Sequence, residues 1–314
     1  MEPKGIVNLG NTCYINVCIQ ILYHTPEFTD IICSANPDKS NEKYPIFQQW
    51  KEIQDIMCDS PPFSRIIPKL FMNHMAKYTK NGGEPQDSSE FLELFLDVFH
   101  VLLKRDVSSS YKDSCKWICE YLKEYSEIAE LFYGAYYSKI TSANNGNVLS
   151  TKPEMFFMLD LPVQTYTNPV RYYHSVDECI YELLRPERLE GENAWYNEDT
   201  RKKEPIDKQM CIWKFPTIFI LLFKRFSLDG TKTKDTLITF PQEGFRLNQY
   251  ECSPEYDLYG VWNHYGNTDG GHYTAMVKNS KEEWYHYNDH LIEKIDPSKI
   301  MTEYAYCLFY RKRK

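Results

Sequence analysis

The chain has no long apolar run. Its longest strongly apolar stretch is residues 218–223, far short of the roughly 20 residues a helix needs to cross a bilayer. No membrane partner is therefore expected. Residues 1–9 lack the apolar core of a secretory signal, and the ten cysteines are then expected as free thiols in a reducing compartment, the cytoplasm or the nucleus. Those cysteines include no Cys-x-x-Cys pair. Basic residues are outnumbered: 36 Lys and Arg against 44 Asp and Glu give a formal charge of −8. No basic stripe dominates, which argues against nucleic acid as a partner. The basic end, residues 311–314, reads first as a solvated terminus and second as a weak nuclear signal. Low-complexity tracts and internal repeats are missing too.

Aromatics are abundant, with 25 Tyr and 17 Phe, which rules out wholesale disorder. After Cys13, the apolar residues Ile15, Ile19 and Leu22 recur at helical spacing, with Tyr14, Cys18 and Ile21 beside them. This predicts a helix with a wide buried face, ended or redirected at Thr25-Pro26. Further helices are predicted over about 45–58, after Pro85, and over about 113–134. Asp87 with Glu90 three residues on has the form of a capping box. The second half turns to β-branched and aromatic runs at 155–163, 217–226, 256–262, 272–277, 283–289 and 304–312. Residues 185–209 between them read as an exposed insertion or mobile loop. Helices first and strands second predict an α+β fold.

Two separated pieces carry chemistry. Cys13, in "GNTCYIN", sits where a loop becomes a helix, and there the helix dipole and free N–H groups favour a thiolate. His272 opens a predicted strand after Gly270 and Gly271, and "EWYHYND" forms the next one. A connecting turn centred near Ser280 would set His272 opposite Asn288, on one face, with Cβ atoms about 4.5–5.5 Å apart. The Asn288 amide oxygen could then accept from imidazole Nδ1–H, leaving Nε2 for the thiol. Asp289 would point to the opposite face, and a slip of one residue would exchange the two.

The segments "GIVNLGNTCYIN", "PQDSSEF" and "NHYGNTDGGHYTA…WYHYND" resemble, in order, the Cys box, the Gln-Asp-x-x-Glu-Phe motif and the His box of the ubiquitin-specific protease family. "FPTIFILLFKRF" is similar to its palm strand, and the resemblance spans about residues 5–311. It implies a papain-like cysteine protease with a helical thumb (about 1–137) and β fingers and palm (about 138–314). It implies a deubiquitinase acting on ubiquitin, or a ubiquitin-like modifier, and on ubiquitinated proteins, as a monomer. By resemblance, Cys13 is the nucleophile, His272 the base and Asn288 its orienting group. Asn8 is then an oxyanion-hole amide and Asp289 a supporting acid. Asp87 and Glu90 correspond to acids that meet the basic tail of ubiquitin, and Tyr273 to an aromatic of the tail channel. Gly270 and Gly271 would allow close approach of a Gly-Gly substrate.

The chain departs from the family at the fingers. Many members hold a structural zinc there with two Cys-x-x-Cys pairs, and residues 141–147 and 194–203 stand in their place without a cysteine. No metal or other cofactor is therefore expected. Cys115 and Cys119, four apart on a predicted helix, read as buried thiols. Pro85 stands where relatives often carry a polar residue.

Overall fold

Caps and prolines set the helix boundaries of the first half. The structure is a computed structural model and describes residues 2–75, 87–106, 124–165, 168–198, 200–226, 233, 235–267 and 270–314. Strand β1 (Gly5–Ile6) leads into α1 (Cys13–Tyr23), which is buried along its whole length. Thr25-Pro26 redirects the chain into α2 (Pro26–Ser34), which starts on the proline. A proline suits that position because its missing N–H would be unpaired there anyway. α3 (Tyr44–Asp59) stops just before Pro61-Pro62. β2 (Arg65–Ile66) pairs in parallel with β1, and α4 (Lys69–Met75) follows.

α5 (Ser88–Leu103) starts at Asp87, whose Oδ1 accepts from Ser89 N–H at 2.7 Å. Glu90 is exposed, and no bond from it closes the box among the described residues. Short strands β3 (Arg105–Asp106) and β4 (Glu124–Tyr125) pair with each other. The helix predicted over 113–134 is not continuous in its described part. Ser126 caps a separate α6 (Glu127–Phe132), its hydroxyl accepting from Ala129 N–H at 3.1 Å. Pro85, Cys115 and Cys119 lie outside the described residues.

The chain continues through β5 (Gly134–Ser142), β6 (Val148–Phe156), β7 (Leu159–Pro162) and α7 (Val176–Leu184). It then runs through β8 (Glu187–Leu189), β9 (Trp195–Asn197), β10 (Lys202–Glu204), β11 (Ile206–Lys214) and β12 (Ile218–Lys224). Last come β13 (Tyr256–Gly266), β14 (Gly271–Lys278), β15 (Trp284–Asn288), β16 (Leu291–Ile295) and β17 (Ala305–Lys312). The stretch read as an exposed insertion or mobile loop, 185–209, is not a loop: it supplies β8, the β9–β10 hairpin and the start of β11. α7 was not foreseen, although Ser175 caps it by accepting from Glu178 N–H at 3.2 Å, a Ser-x-x-Glu signature.

Two sheets organise the second half. The fingers sheet runs β6-β5-β11-β8, and the palm sheet runs β16-β15-β14-β13-β17-β12-β7. Both faces of the palm are covered, as the alternation along β12 shows. Ile218, Ile220 and Leu222 join the core shared with the helices. Phe219, Leu221 and Phe223 join the core under α7. The helical half docks on the palm through α1: Trp262 Nε1 donates to the Val17 carbonyl at 3.1 Å. Gly260 leaves room for Ile21, since a Cβ there would meet Ile21 Cδ1 at 2.3 Å. That docking sets the N-terminus of α1 against the palm hairpin.

Candidate active site

Cys13 is the first residue of α1. Thr12 precedes it as cap but does not spend its hydroxyl on the helix. The hydroxyl donates to Asn8 Oδ1 at 3.2 Å and accepts from Leu9 N–H at 2.9 Å. The Thr12 side chain therefore does not cap the first-turn N–H groups, and the positive end of the helix lies at the thiol.

His272 comes from β14 and Asn288 from the end of β15. The hairpin register differs from the expected one by two residues, with Ala275 opposite Tyr287 and Lys278 opposite Trp284. The turn centres on Lys281 rather than Ser280. Asn279 Oδ1 accepts from Lys281 N–H at 2.9 Å and Glu283 N–H at 3.0 Å, and Glu282 takes φ +61°. Asn288 thus stands diagonal to His272 rather than opposite it. An even shift preserves the face, and Asn288 Oδ1 meets His272 Nε2 at 2.7 Å.

The ring nitrogens are the reverse of the sequence expectation: Nε2 donates to Asn288, and Nδ1 is left for Cys13. The imidazole is raised to about 9 from its ordinary value. Hydrogen bonding with Cys13 is the largest cause; burial opposes it, and Asn288, the Cys13 charge and Asp289 add to it. Asp289 does not point away. It sits in the β15–β16 turn at φ +52°, with its Oδ2 4.0 Å from His272 Nε2.

Asp289 gathers the loop and helix onto the palm. Its Oδ2 accepts from Asn8 Nδ2 at 3.0 Å, and its Oδ1 accepts from Asn16 Nδ2 at 2.7 Å. Asn8 Oδ1 is fixed at the same time by Gly10 N–H at 3.0 Å and Thr12 N–H at 3.2 Å. So Asn8 is both a turn residue and an amide aimed into the site. Asn16 was missed by sequence reasoning. The signal was a polar residue three after the cysteine, inside an apolar helix.

The remaining candidates surround this centre. Tyr273 is buried, its ring 4.6 Å from His264 and 5.8 Å from Tyr306, and burial pushes its hydroxyl well up. The Tyr306 hydroxyl donates to Asp87 Oδ2, so Asp87 ties the start of α5 to β17. Gly271 is confined by its own sheet, since a Cβ would meet His264 Nε2 at 2.2 Å. Gly270 is open, with nothing within 4 Å of that position.

This geometry belongs with a known family. The family model described as ubiquitin carboxyl-terminal hydrolase matches residues 4–310. The chain belongs to that family. Human ubiquitin carboxyl-terminal hydrolase 2 is 28% identical over 335 residues, covering 98% of this chain and 54% of the relative. Human ubiquitin carboxyl-terminal hydrolase 19 is 35% identical over 158 residues, covering 45% of this chain and 12% of the relative. The chain spans about half the length of the curated relative that it matches throughout, 54%. Among solved structures, the SAGA Ubp8/Sgf11/Sus1/Sgf73 DUB module bound to ubiquitin aldehyde aligns at TM-score 0.75 and 21% identity, covering 99% of this chain and 70% of that one. A structure of the module bound to monoubiquitin aligns at TM-score 0.77 and 21% identity, covering 99% and 69%. At that identity the likeness fixes the papain-like thumb, palm and fingers fold.

The fingers do not fit a zinc ion. The two segments at that place, residues 141–147 and 194–203, hold no Cys or His, whereas tetrahedral zinc sites use thiolates and imidazoles. Hydrogen bonds close the described parts of both tips. Ser142 N–H donates to the Asn147 carbonyl at 2.8 Å, and Ala143 N–H to the Pro205 carbonyl at 3.1 Å. Across the β9–β10 hairpin, the Glu204 carboxylate accepts from Asn197 Nδ2 at 3.3 Å and from the Thr200 hydroxyl. Those bonds hold Glu204 below the usual carboxylate range.

Proposed function

We propose that this chain is a thiol-dependent deubiquitinase. It hydrolyses the isopeptide or peptide bond after the C-terminal glycine of ubiquitin or a ubiquitin-like modifier. One observation carries the reading: Asn288 occupies Nε2 of His272 at 2.7 Å, which leaves Nδ1 for hydrogen bonding with Cys13, the first residue of α1. Membership of the ubiquitin carboxyl-terminal hydrolase family supplies the substrate class, and two structural relatives are complexes with monoubiquitin or ubiquitin aldehyde.

The steps follow from the geometry. His272 Nδ1 holds the Cys13 proton in a thiolate–imidazolium pair, and the thiolate attacks the glycine carbonyl carbon. The resulting oxyanion is held by the Asn8 amide and the free N–H groups at the start of α1. The tetrahedral intermediate collapses, His272 Nδ1–H protonates the departing lysine amine, and a thioester remains. Water then gives a proton to Nδ1 and attacks the thioester, releasing the glycine carboxylate and restoring the thiol. Asn288 keeps the ring in the Nε2–H tautomer throughout, and Asp289 steadies the imidazolium. Asp87 and Glu90 offer negative charge to the basic tail of the modifier, and Tyr273 walls its channel. We place the enzyme in the cytoplasm or nucleus, as a monomer.

A fluorogenic ubiquitin substrate tests this directly. The wild type should cleave it, and Cys13→Ala should not. Equal turnover by both, or none by the wild type, would refute the proposal.

A further inference from the structure

We infer that Asn16 is a positioning residue that sets the oxyanion side of this site through Asp289; the inference rests on the deubiquitinase reading. Asn16 lies one turn after the nucleophile and is 2% exposed. Its Nδ2 donates to Asp289 Oδ1 at 2.7 Å, with the Ile6 carbonyl at 3.4 Å. The other carboxylate oxygen of Asp289 accepts from Asn8 Nδ2 at 3.0 Å. One carboxylate is thus gripped by two amides, one from the helix behind it and one from the loop in front. The Asp289 carbonyl also accepts from Ile6 N–H at 3.0 Å, and the residue sits at φ +52°, a left-handed conformation that Asp adopts more readily than most non-glycine residues.

The direction of the Asn16 amide shows what the side chain is there for. Turned over, its oxygen would face Asp289 Oδ1, acceptor against acceptor. In the observed direction Asn16 Oδ1 is buried without a partner among the described residues. An unpaired buried carbonyl is unfavourable, and an apolar side chain would serve packing better at this point of α1. The compensating gain is a charge-assisted N–H···O⁻ bond. Without it the Asp289 carboxylate can rotate, and Asn8 Nδ2 loses a fixed partner. The Asn8 amide then meets the developing oxyanion from a wandering position. Asn16 itself is shielded from substrate by the residues around it.

A double-mutant cycle in kcat and KM, read with a fluorogenic ubiquitin substrate, tests the assignment. Asn16→Leu should lower kcat about 10- to 100-fold, since displacing a catalytic amide by about 1 Å can cost about 100-fold. KM should change by less than about twofold, since Asn16 does not touch the modifier. In the Asp289→Ala background the same substitution should change kcat by less than about twofold, because its route of action is already gone. A merely structural Asn16 would lower kcat by the same factor in both backgrounds, and that result overturns the inference. So does an unchanged kcat in Asn16→Leu. Asn16→Ala repeats the cycle where the leucine variant does not fold, with thermal unfolding as the folding control. An inactive wild type refutes the deubiquitinase reading itself, whereas an active wild type with indifferent Asn16 variants refutes this inference alone.

Discussion

Replacing Cys13 with alanine should move the titration of His272. In the intact site the ring is raised to about 9 from 6.5, first by hydrogen bonding with Cys13, then by Asn288, the Cys13 charge and Asp289, with burial pulling the other way. Two of those four raising influences leave with the thiol, and one leaves with the Asn288 amide. The expected order is therefore wild type highest at about 9, Asn288→Ala below it, and Cys13→Ala lowest, moving back toward 6.5. Imidazole 15N–1H correlation spectra recorded against pH would give all three midpoints. The same raised value gives the sign of two pH effects. The folded protein binds the imidazolium more tightly than the unfolded chain does. That contribution to stability is complete below about pH 6.5 and is lost as pH rises through about 9. The rate follows the same direction: kcat/KM should hold through neutral pH and fall on the alkaline side as His272 loses its proton. Asn288→Ala should bring that alkaline limb to lower pH. A Cys13→Ala protein still titrating near 9, or an alkaline limb unmoved in Asn288→Ala, would refute the reasoning.

Three further outcomes are expected. Asp87→Ala removes the cap acceptor of α5 and the acceptor of the buried Tyr306 hydroxyl, which keeps its bond with Ser89, for a loss of roughly 1–3 kcal/mol in urea unfolding; Asp87→Asn should lose less, because its oxygen can still cap. Gly271→Ala drives a Cβ to within 2.2 Å of His264 Nε2 and should destabilise the fold by roughly 1–3 kcal/mol, whereas Gly270→Ala meets nothing within 4 Å and should leave the melting temperature unchanged. Prolonged treatment with a zinc chelator should alter neither the melting temperature nor the affinity for ubiquitin, while Glu204→Ala should loosen the β9–β10 hairpin, as seen in faster amide exchange over residues 195–204.

Motifs made the partners of the site legible, but not the way they meet. Cys13 at a loop-to-helix junction, and His272 with Asn288 on adjacent strands, could be read from local pattern because helix starts and strand alternation are short-range properties. The turn after Lys278 could not, because its five-residue form depends on Asn279 binding two backbone N–H groups. A two-residue error keeps the face, so the pairing of His272 with Asn288 survived it. The choice of ring nitrogen is a matter of side-chain torsion, which strand alternation does not determine, and Nε2 is the one that meets Asn288. The side of Asp289 was missed for a related reason. Alternation holds inside a strand, and Asp289 sits just past the strand, at positive φ. In the fingers, 185–209 misled because short strands with exposed charged residues carry little hydrophobic period.

The same contacts that build the fold also aim the chemistry. β1 reaches Asp289 through Ile6, and Gly5 packs so closely on the β15–β16 turn that a Cβ would meet the His290 carbonyl oxygen at 2.4 Å. Asn8, the thiol and Asn16 follow from that strand within eleven residues, so their distances to one another are fixed locally by loop and helix. Their distance to His272 is not local. It depends on the seating of β1 and α1 against the palm, through Asp289, the Trp262 bond to the Val17 carbonyl and the fit of Ile21 over Gly260. Weakening that seating should therefore separate Cys13 and Asn8, as one body, from His272. Variants of Gly5 or Gly260 should lose rate before they lose the helices, because a shift of about 1 Å is enough to spoil proton transfer while leaving most buried area intact.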